Sequence, residues 1–295
     1  MAAEFGQFLN EKQKLIEARL LELVPSMETE PKRLHESVHY SLFADAKRIR
    51  PIFSLAVTSI FKVPEDELLD AGCALEMVHT SSLILDDLPC MDNATMRRGK
   101  PANHIVYGED TAILAAMFLL NRAYGILAAY RRTFFSPTLS STLAGILSRS
   151  IGTEGIIGGQ FVDLASKGKN IDLERLEMIH SRKTGALFSA AAEMAASFGK
   201  ARDLDRIAVL TFAKNLGLAF QISDDILDAT SDAATIGKDT NKDAGKTTFI
   251  TFCGLDGARS LAKELIETAV EALTPLKSRA DLLRSFAEFV LRRTK

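Results

Sequence analysis

The stretch Leu204–Leu227, LDRIAVLTFAKNLGLAFQISDDIL, constrains the fold more than any other. Its apolar residues recur at helical spacing and cover most of the circumference. A helix apolar all round belongs at the centre of a bundle, where neighbours bury every face. Phe5–Leu23, Glu65–Leu85, Thr111–Tyr130, Leu173–Phe198 and Leu255–Ala272 show the same periodicity. Strand signals are poor, because there is no long β-branched alternation and no Asn-Gly or Asp-Gly hairpin turn. No repeat or linker-like shift in composition interrupts the chain. The pattern predicts one all-α domain over residues 1–295, with roughly ten or more helices. Charge-rich loops fall near 88–103 and 230–248.

The bulk numbers exclude little beyond extremes. Hydrophobic residues make up 47% of the 295 residues and charged ones 25%, ordinary values for a globular protein. A net charge of −2 gives no case for nucleic-acid binding. Cys73, Cys90 and Cys253 form no CxxC and no even framework, which fits a reducing compartment. The first residues lack the apolar core of a signal peptide. No apolar run approaches the ~20 residues of a membrane span, since the best candidate, 207–227, is interrupted by Lys214, Asn215 and Gln221. The expectation is a cytoplasmic protein.

Two aspartate clusters stand out. Asp86 and Asp87 end an apolar helix that Pro89 stops, and Asp92 follows in the loop, giving DDxxxxD. Asp224, Asp225 and Asp228 form DDxxD, with Asp224 and Asp228 on one helix face. A bulge at Pro89 can do for the first cluster what helical spacing does for the second. Carboxylates at a helix C-terminus oppose the helix dipole and repel one another, so each cluster is costly unless a cation offsets it. All-oxygen donors suit Mg²⁺, which takes one or two protein carboxylates, keeps waters and binds substrate phosphates. A single DDxxD could be a solvated acidic helix end, but two such clusters, each closing an apolar helix, point to metal sites.

Metal-bound diphosphates need positive charge on their far side. Lys47, Arg48 and Arg50 precede or open a helix started by Pro51. Arg97 and Arg98 follow the first cluster, and Lys183-Thr184 sits in an otherwise apolar helical stretch. Lys238 and Lys246 follow the second cluster. His79 lies two helical turns before Asp86, ~10 Å along the axis on nearly the same face. Each residue alone would read as a surface charge or a core histidine; the constellation argues for a polyanion site. The stretch TNKDAGKT (240–247) approaches a phosphate-binding P-loop, but it begins with Thr240 instead of glycine and no strand precedes it.

These residues resemble the short-chain trans-prenyltransferases, or polyprenyl synthetases, which include farnesyl and geranylgeranyl diphosphate synthases. The similarity runs from about Lys47 to Arg293 and rests on DDLPCMD…RRGKPANH, GIIGGQFVDL, HSRKTGAL and GLAFQISDDILD. It implies an all-α bundle of the isoprenoid synthase type around a deep central cavity, usually a homodimer. It also implies use of Mg²⁺, with about three ions per substrate-loaded site. The reaction implied joins isopentenyl diphosphate to an allylic diphosphate. By the same resemblance, Asp86, Asp87, Asp92, Asp224, Asp225 and Asp228 hold metal. Arg97, Lys183 and Lys238 contact the allylic diphosphate. Lys47, Arg50, His79 and Arg98 hold isopentenyl diphosphate. Lys183, Thr184 and Gln221 line the reacting centre, Gln160 and Asp163 lie near the metal through water or Lys183, and Lys246 matches a family lysine. Arg293 falls in a tail that closes over the site.

The chemistry fits the residue types. Breaking the allylic C–O bond leaves diphosphate and a carbocation, and cations stabilise charge on the leaving group. The double bond of isopentenyl diphosphate attacks, and a proton is lost to the released diphosphate. No side-chain nucleophile is required. The product grows away from the first cluster, so residues upstream act as its floor. Ser81 and Ser82 are small where farnesyl synthases of the bacterial type have an aromatic, and Met77 and Val78 stand a turn further back. Geranylgeranyl diphosphate (C20) is the expected product, with farnesyl (C15) the alternative. Three departures from the family pattern are Asp45-Ala46 before Lys47, Asn93-Ala94-Thr95 after Asp92, and AAMFLL at 115–120 in place of a Gly-Asp pair. Two other readings compete. A non-catalytic regulatory subunit typically loses an aspartate cluster, whereas both are present. A terpene cyclase usually lacks the isopentenyl-binding set, whereas Lys47, Arg50 and His79 are in place.

Overall fold

The structure, a computed structural model, describes residues 2–129, 138–230 and 247–293. Among these residues the chain is helical almost throughout, as the periodicity predicts. The helices are α1 (Ala2–Leu23), α2 (Lys32–Leu42), α3 (Ile49–Phe61), α4 (Glu65–Asp86), α5 (Asn103–Tyr107), α6 (Glu109–Ala128) and α7 (Leu139–Ile151). They continue with α8 (Ile156–Ser166), α9 (Leu173–His180), α10 (Ala186–Phe198), α11 (Asp203–Thr230), α12 (Phe249–Ala272) and α13 (Asp281–Arg292). A 3₁₀ segment, Thr274–Ala280, precedes α13. The only strands among the described residues, β1 (Met96–Arg97) and β2 (Lys100–Pro101), form a two-pair hairpin. Its turn is Arg98-Gly99, with φ of 53° and 74°. The sequence pattern misses this hairpin, because an arginine seldom takes the left-handed conformation that such a turn demands.

Helix α11 occupies the position its composition requires. Phe212, Ala213, Leu216, Gly217, Leu218, Ala219, Phe220 and Ile222 are all buried, and α11 packs on α10, α12 and α13. α4 packs on α3 and α6, and α10 on α3 and α7. One apolar cluster runs from Phe5 on α1 to Val290 on α13, and a smaller one joins α9, α11 and α12. Phe286 lies at a seam of the large cluster, with ring centres 5.6 Å from Phe5 and 5.4 Å from Phe53.

Two expectations need correction. The stretch Leu173–Phe198 is not one regular helix, because a single π-turn, Ser181–Gly185, interrupts it between α9 and α10. Two helices, α4 and α6, are also long and apolar enough to cross a membrane by length and composition alone. The apolar window of α4 is 72% buried, which fits a core helix, whereas that of α6 is only 39% buried. Polar residues such as Glu76 in α4 and Arg122 in α6 interrupt the apolar runs, although the mean hydropathy of each helix is high.

Removing the Phe286 ring should leave a cavity among three helices. Phe286→Ala should cost ~3–5 kcal/mol of unfolding free energy, read from urea denaturation.

Candidate active site

The first cluster is built by the end of α4. Pro89 stops the helix, and the chain folds back so that the Asp92 amide donates to the Asp86 carbonyl at 2.9 Å and the Ala94 amide to that of Asp87 at 3.0 Å. These bonds satisfy carbonyls that a helix end leaves without partners. The fold-back requires a left-handed residue, Asn93, at φ 49°. It brings Asp92 beside Asp86, as the spacing predicts. Burial and the Asp92 charge push the Asp86 carboxyl above its usual range, while Lys183 opposes them.

Asp87 takes a different course. Its side chain is buried, and Arg97 Nε donates to both its oxygens at 3.0 and 3.1 Å. It lines a small pocket with Tyr40, Thr80, Leu83, Arg97 and Arg98. Asp87 and Arg97, expected at the metal and at the allylic diphosphate respectively, are paired with each other here.

The π-turn links the two clusters. Lys183 Nζ lies 3.1 Å from Asp163 Oδ2 on α8 and 3.6 Å from Asp86 Oδ2. Burial works against its charge, but Asp86 and Asp163 more than offset this and hold its pKa above the usual value. The next residue, Thr184, points the other way, and its hydroxyl donates to Gln221 Oε1 at 2.7 Å. Gln221 Nε2 donates in turn to Asp225 Oδ1 at 2.9 Å. A continuous path thus runs from Asp86 through two adjacent residues to Asp225. A π-turn adds one residue to a helical turn and rotates the next turn of helix, a deformation frequent at functional sites. Two glycines let helices press against it. A Cβ on Gly159 would stand 2.7 Å from the Lys183 nitrogen, and one on Gly217 would stand 2.9 Å from the Gly185 Cα.

In the second cluster, Asp225 also accepts from the Phe249 amide at 3.1 Å, an otherwise unpartnered donor at the start of α12. Burial nonetheless raises its pKa from the ordinary 3.8 to about 6, with Asp224 and Asp228 adding to the rise. Asp224 pairs with Arg293 at 2.8 Å, and the Arg293 guanidinium stacks 3.8 Å from the Phe220 ring centre. Asp228 sits on the exposed end of α11. Lys167, which no sequence motif singles out, pairs with Asp92 at 2.9 Å. Gln160 is buried and neither amide atom has a protein partner. Such an orphan amide suits a bound water or ligand oxygen.

The cation set forms beside this path. Arg50 Nη1 lies 3.1 Å from His79 Nε2. A guanidinium can only donate, so His79 accepts and is neutral. Burial, then Arg50, Arg98 and Arg97, push its pKa well below 6.5. Arg50 stacks over Phe188 at 5.5 Å and is depressed to about 10, mainly by burial. Lys47 stands just before α3, next to Arg48. Lys238 and Lys246 lie outside the described residues. Ser81 donates to the Ala116 carbonyl on α6 at 2.8 Å, and Ser82 to that of His79. Met77 and Val78 are buried one turn back. The Ala115-Ala116 departure therefore meets Ser81 directly.

Among the described residues no three acidic, histidine or cysteine side chains converge on one point. Each of Asp86, Asp87, Asp92 and Asp224 has a lysine or arginine beside it, which holds the carboxylates apart. The donor set still fits Mg²⁺. Asp86 and Asp92 on one side and the second cluster on the other offer oxygens in pairs, and buried carboxylates raised above their usual range gain most from a divalent cation.

The raised Asp225 sets a pH dependence. The folded protein binds the extra proton, so stability is present below pH 3.8 and declines as pH rises through about 6. Asp225→Asn should flatten that decline in chemical denaturation of the metal-free protein; an unchanged slope would contradict it.

Known proteins resemble this chain along most of its length. The family described as polyprenyl synthetase matches residues 31–283. Geranylgeranyl pyrophosphate synthase 9, chloroplastic, of Arabidopsis thaliana is 42% identical over 277 residues, covering 92% of this chain and 76% of that protein. Geranylgeranyl diphosphate synthase of Cyanophora paradoxa is 40% identical over 97% of this chain and 95% of its own length. The geranyltransferase of Helicobacter pylori, solved in complex with magnesium and isoprenyl diphosphate, superposes with a TM-score of 0.84 at 30% identity, covering 97% of this chain and 95% of the other. With two acidic clusters joined across one turn of backbone and a family match along most of its length, the chain belongs to the polyprenyl synthetases.

Proposed function

We propose that this protein is a Mg²⁺-dependent prenyltransferase that condenses isopentenyl diphosphate with an allylic diphosphate to give geranylgeranyl diphosphate (C20). The observation that supports this best is the path Asp86–Lys183–Thr184–Gln221–Asp225. Asp86 and Asp225 stand at its two ends, which supports one diphosphate meeting both clusters.

In this reading Asp86, Asp87 and Asp92 would hold metal on one side and Asp224, Asp225 and Asp228 on the other, about three ions when the site is loaded. The bound Mg²⁺ acts as a Lewis acid on the leaving diphosphate. Lys183 turns from Asp86 to that diphosphate and neutralises charge as the C–O bond breaks, and Lys238 joins it. The electron pair leaves with the diphosphate. The Thr184 hydroxyl and Gln221 amide place oxygen dipoles beside the allylic carbon. Lys47, Arg50, His79 and Arg98 hold isopentenyl diphosphate so that its double bond faces that carbon. After the new C–C bond forms, the released diphosphate takes the proton. Buried walls from α3, α10 and α11 keep water from the cation. Asp224 would give up its pairing with Arg293 in order to hold metal, and Arg293 would then be available to cover the isopentenyl site. Arg97, paired with Asp87, would contact the allylic diphosphate once Asp87 holds metal.

The C20 length rests on the relatives' names and on the small Ser81, which sits against Ala115 and Ala116. Purified protein with Mg²⁺, radiolabelled isopentenyl diphosphate and a C5, C10 or C15 partner should yield a C20 product by chromatography. No incorporation would overturn the reading. Ser81→Phe should break the bond to the Ala116 carbonyl, fill the space below the first cluster and shift the main product to C15 or shorter.

A homodimer completes the proposal. Helix α6 exposes Ile113, Leu114 and Met117, the last two at 55% and 59%, with Ile105 and Val106 of α5 exposed as well. An apolar stripe on an otherwise membrane-length helix fits a second copy of the same helix. Leu114→Lys with Met117→Lys should convert a dimer to a monomer in light scattering. The three free cysteines support a reducing location, the cytoplasm.

A further inference from the structure

One buried ion pair lies beneath the isopentenyl diphosphate residues without belonging to them. Glu76, one turn before His79 on α4, is 1% exposed. Arg48, 2% exposed, caps α3 in a left-handed conformation at φ 52° and ψ 35°, which a residue with a Cβ rarely adopts. Its Nη1 donates to Glu76 Oε1 at 2.9 Å, and its Nη2 donates to the Leu42 carbonyl at the end of α2 at 2.6 Å. Its Nε lies 3.6 Å from Glu17 Oε1 on α1. One guanidinium therefore joins three helices and fixes the backbone between Lys47 and Arg50.

Charge points the same way. Arg48, Arg50 and Arg98 gather around this point, and guanidiniums that close repel one another. Burial lowers the pKa of both Arg50 and Arg98, and for each the Glu76 charge is the leading opposing influence. The other charges facing Arg50 are Asp224 of α11, Arg98 of the hairpin and Arg293 of the tail, with His79 in contact. A buried ion pair is weak evidence for stability, since apolar residues of similar volume often replace it without loss. A pair kept under a cluster of cations therefore asks for another explanation.

We propose that Glu76 is a positioning residue for the isopentenyl diphosphate subsite. Through Arg48 it holds the turn that presents Lys47 and Arg50, and its buried charge keeps the arginines together without touching substrate. This role rests on the prenyltransferase reading of the site.

The test separates folding from positioning. In Arg48→Met/Glu76→Leu the pair is replaced by apolar groups, so the variant should melt within a few degrees of the parent. With farnesyl diphosphate as the allylic partner, its KM for isopentenyl diphosphate should rise about tenfold or more while that for farnesyl diphosphate moves less than about twofold. A double variant that folds and keeps the parent KM overturns the proposal. Should the double variant fail to fold, Glu76→Gln decides, because the amide still accepts from Arg48 but carries no charge. A raised KM for isopentenyl diphosphate alone supports the role, and an unchanged or lowered one overturns it. A parent protein that incorporates no isopentenyl diphosphate sinks the reading of the site itself, whereas incorporation with an unmoved KM sinks only the role of Glu76.

Discussion

Mutual repulsion between carboxylates is the constraint around which this molecule is arranged. Six aspartates end two apolar helices, where the helix dipole already disfavours negative charge. Cationic partners keep four of them in place: Lys183 beside Asp86, Arg97 on Asp87, Lys167 on Asp92 and Arg293 on Asp224. Asp225 instead takes an amide, a helix-end N–H and a raised pKa. Different solutions to the same repulsion give the aspartates different chemical characters, and the characters suit different tasks.

The π-turn at Ser181–Gly185 makes these solutions one site. In a regular helix Lys183 and Thr184 would diverge with no reason to serve separate clusters. Here the widened turn, pressed by Gly159 and Gly217, directs one toward Asp86 and the other toward Gln221. A side chain on either glycine would push α8 or α11 away and open the path between the clusters. Packing at two small residues thus helps to set the distance between the two aspartate clusters.

The same economy appears beneath the cation set. Neutral His79, depressed Arg50 and buried Arg48 are crowded into an apolar region that, by itself, would reject their charge. Glu76 is the compensating group, and its direct bond to Arg48 leaves Arg50 for the site's mouth. At the other end, Ser81 ties α4 to the backbone of α6 where the family pattern is broken by Ala115-Ala116. Small residues on both helices let them approach, so the contact with Ser81 and the exposed apolar stripe belong to one element, α6.

Residue order alone was enough for the all-α class, the central place of α11 and the two aspartate clusters as motifs. Those are local properties, carried by periodicity and by residue chemistry. It could not show that Asp87 turns from Asp86 to Arg97, that Leu173–Phe198 breaks into a π-turn, or that α6 leaves an apolar face uncovered. Nor could it reveal Lys167 against Asp92 or Glu76 against Arg48, because neither pair shares a motif. These choices were made in three dimensions. A charged side chain commits to whichever partner lies nearest across a helix interface, and that distance is set by the packing of the whole bundle.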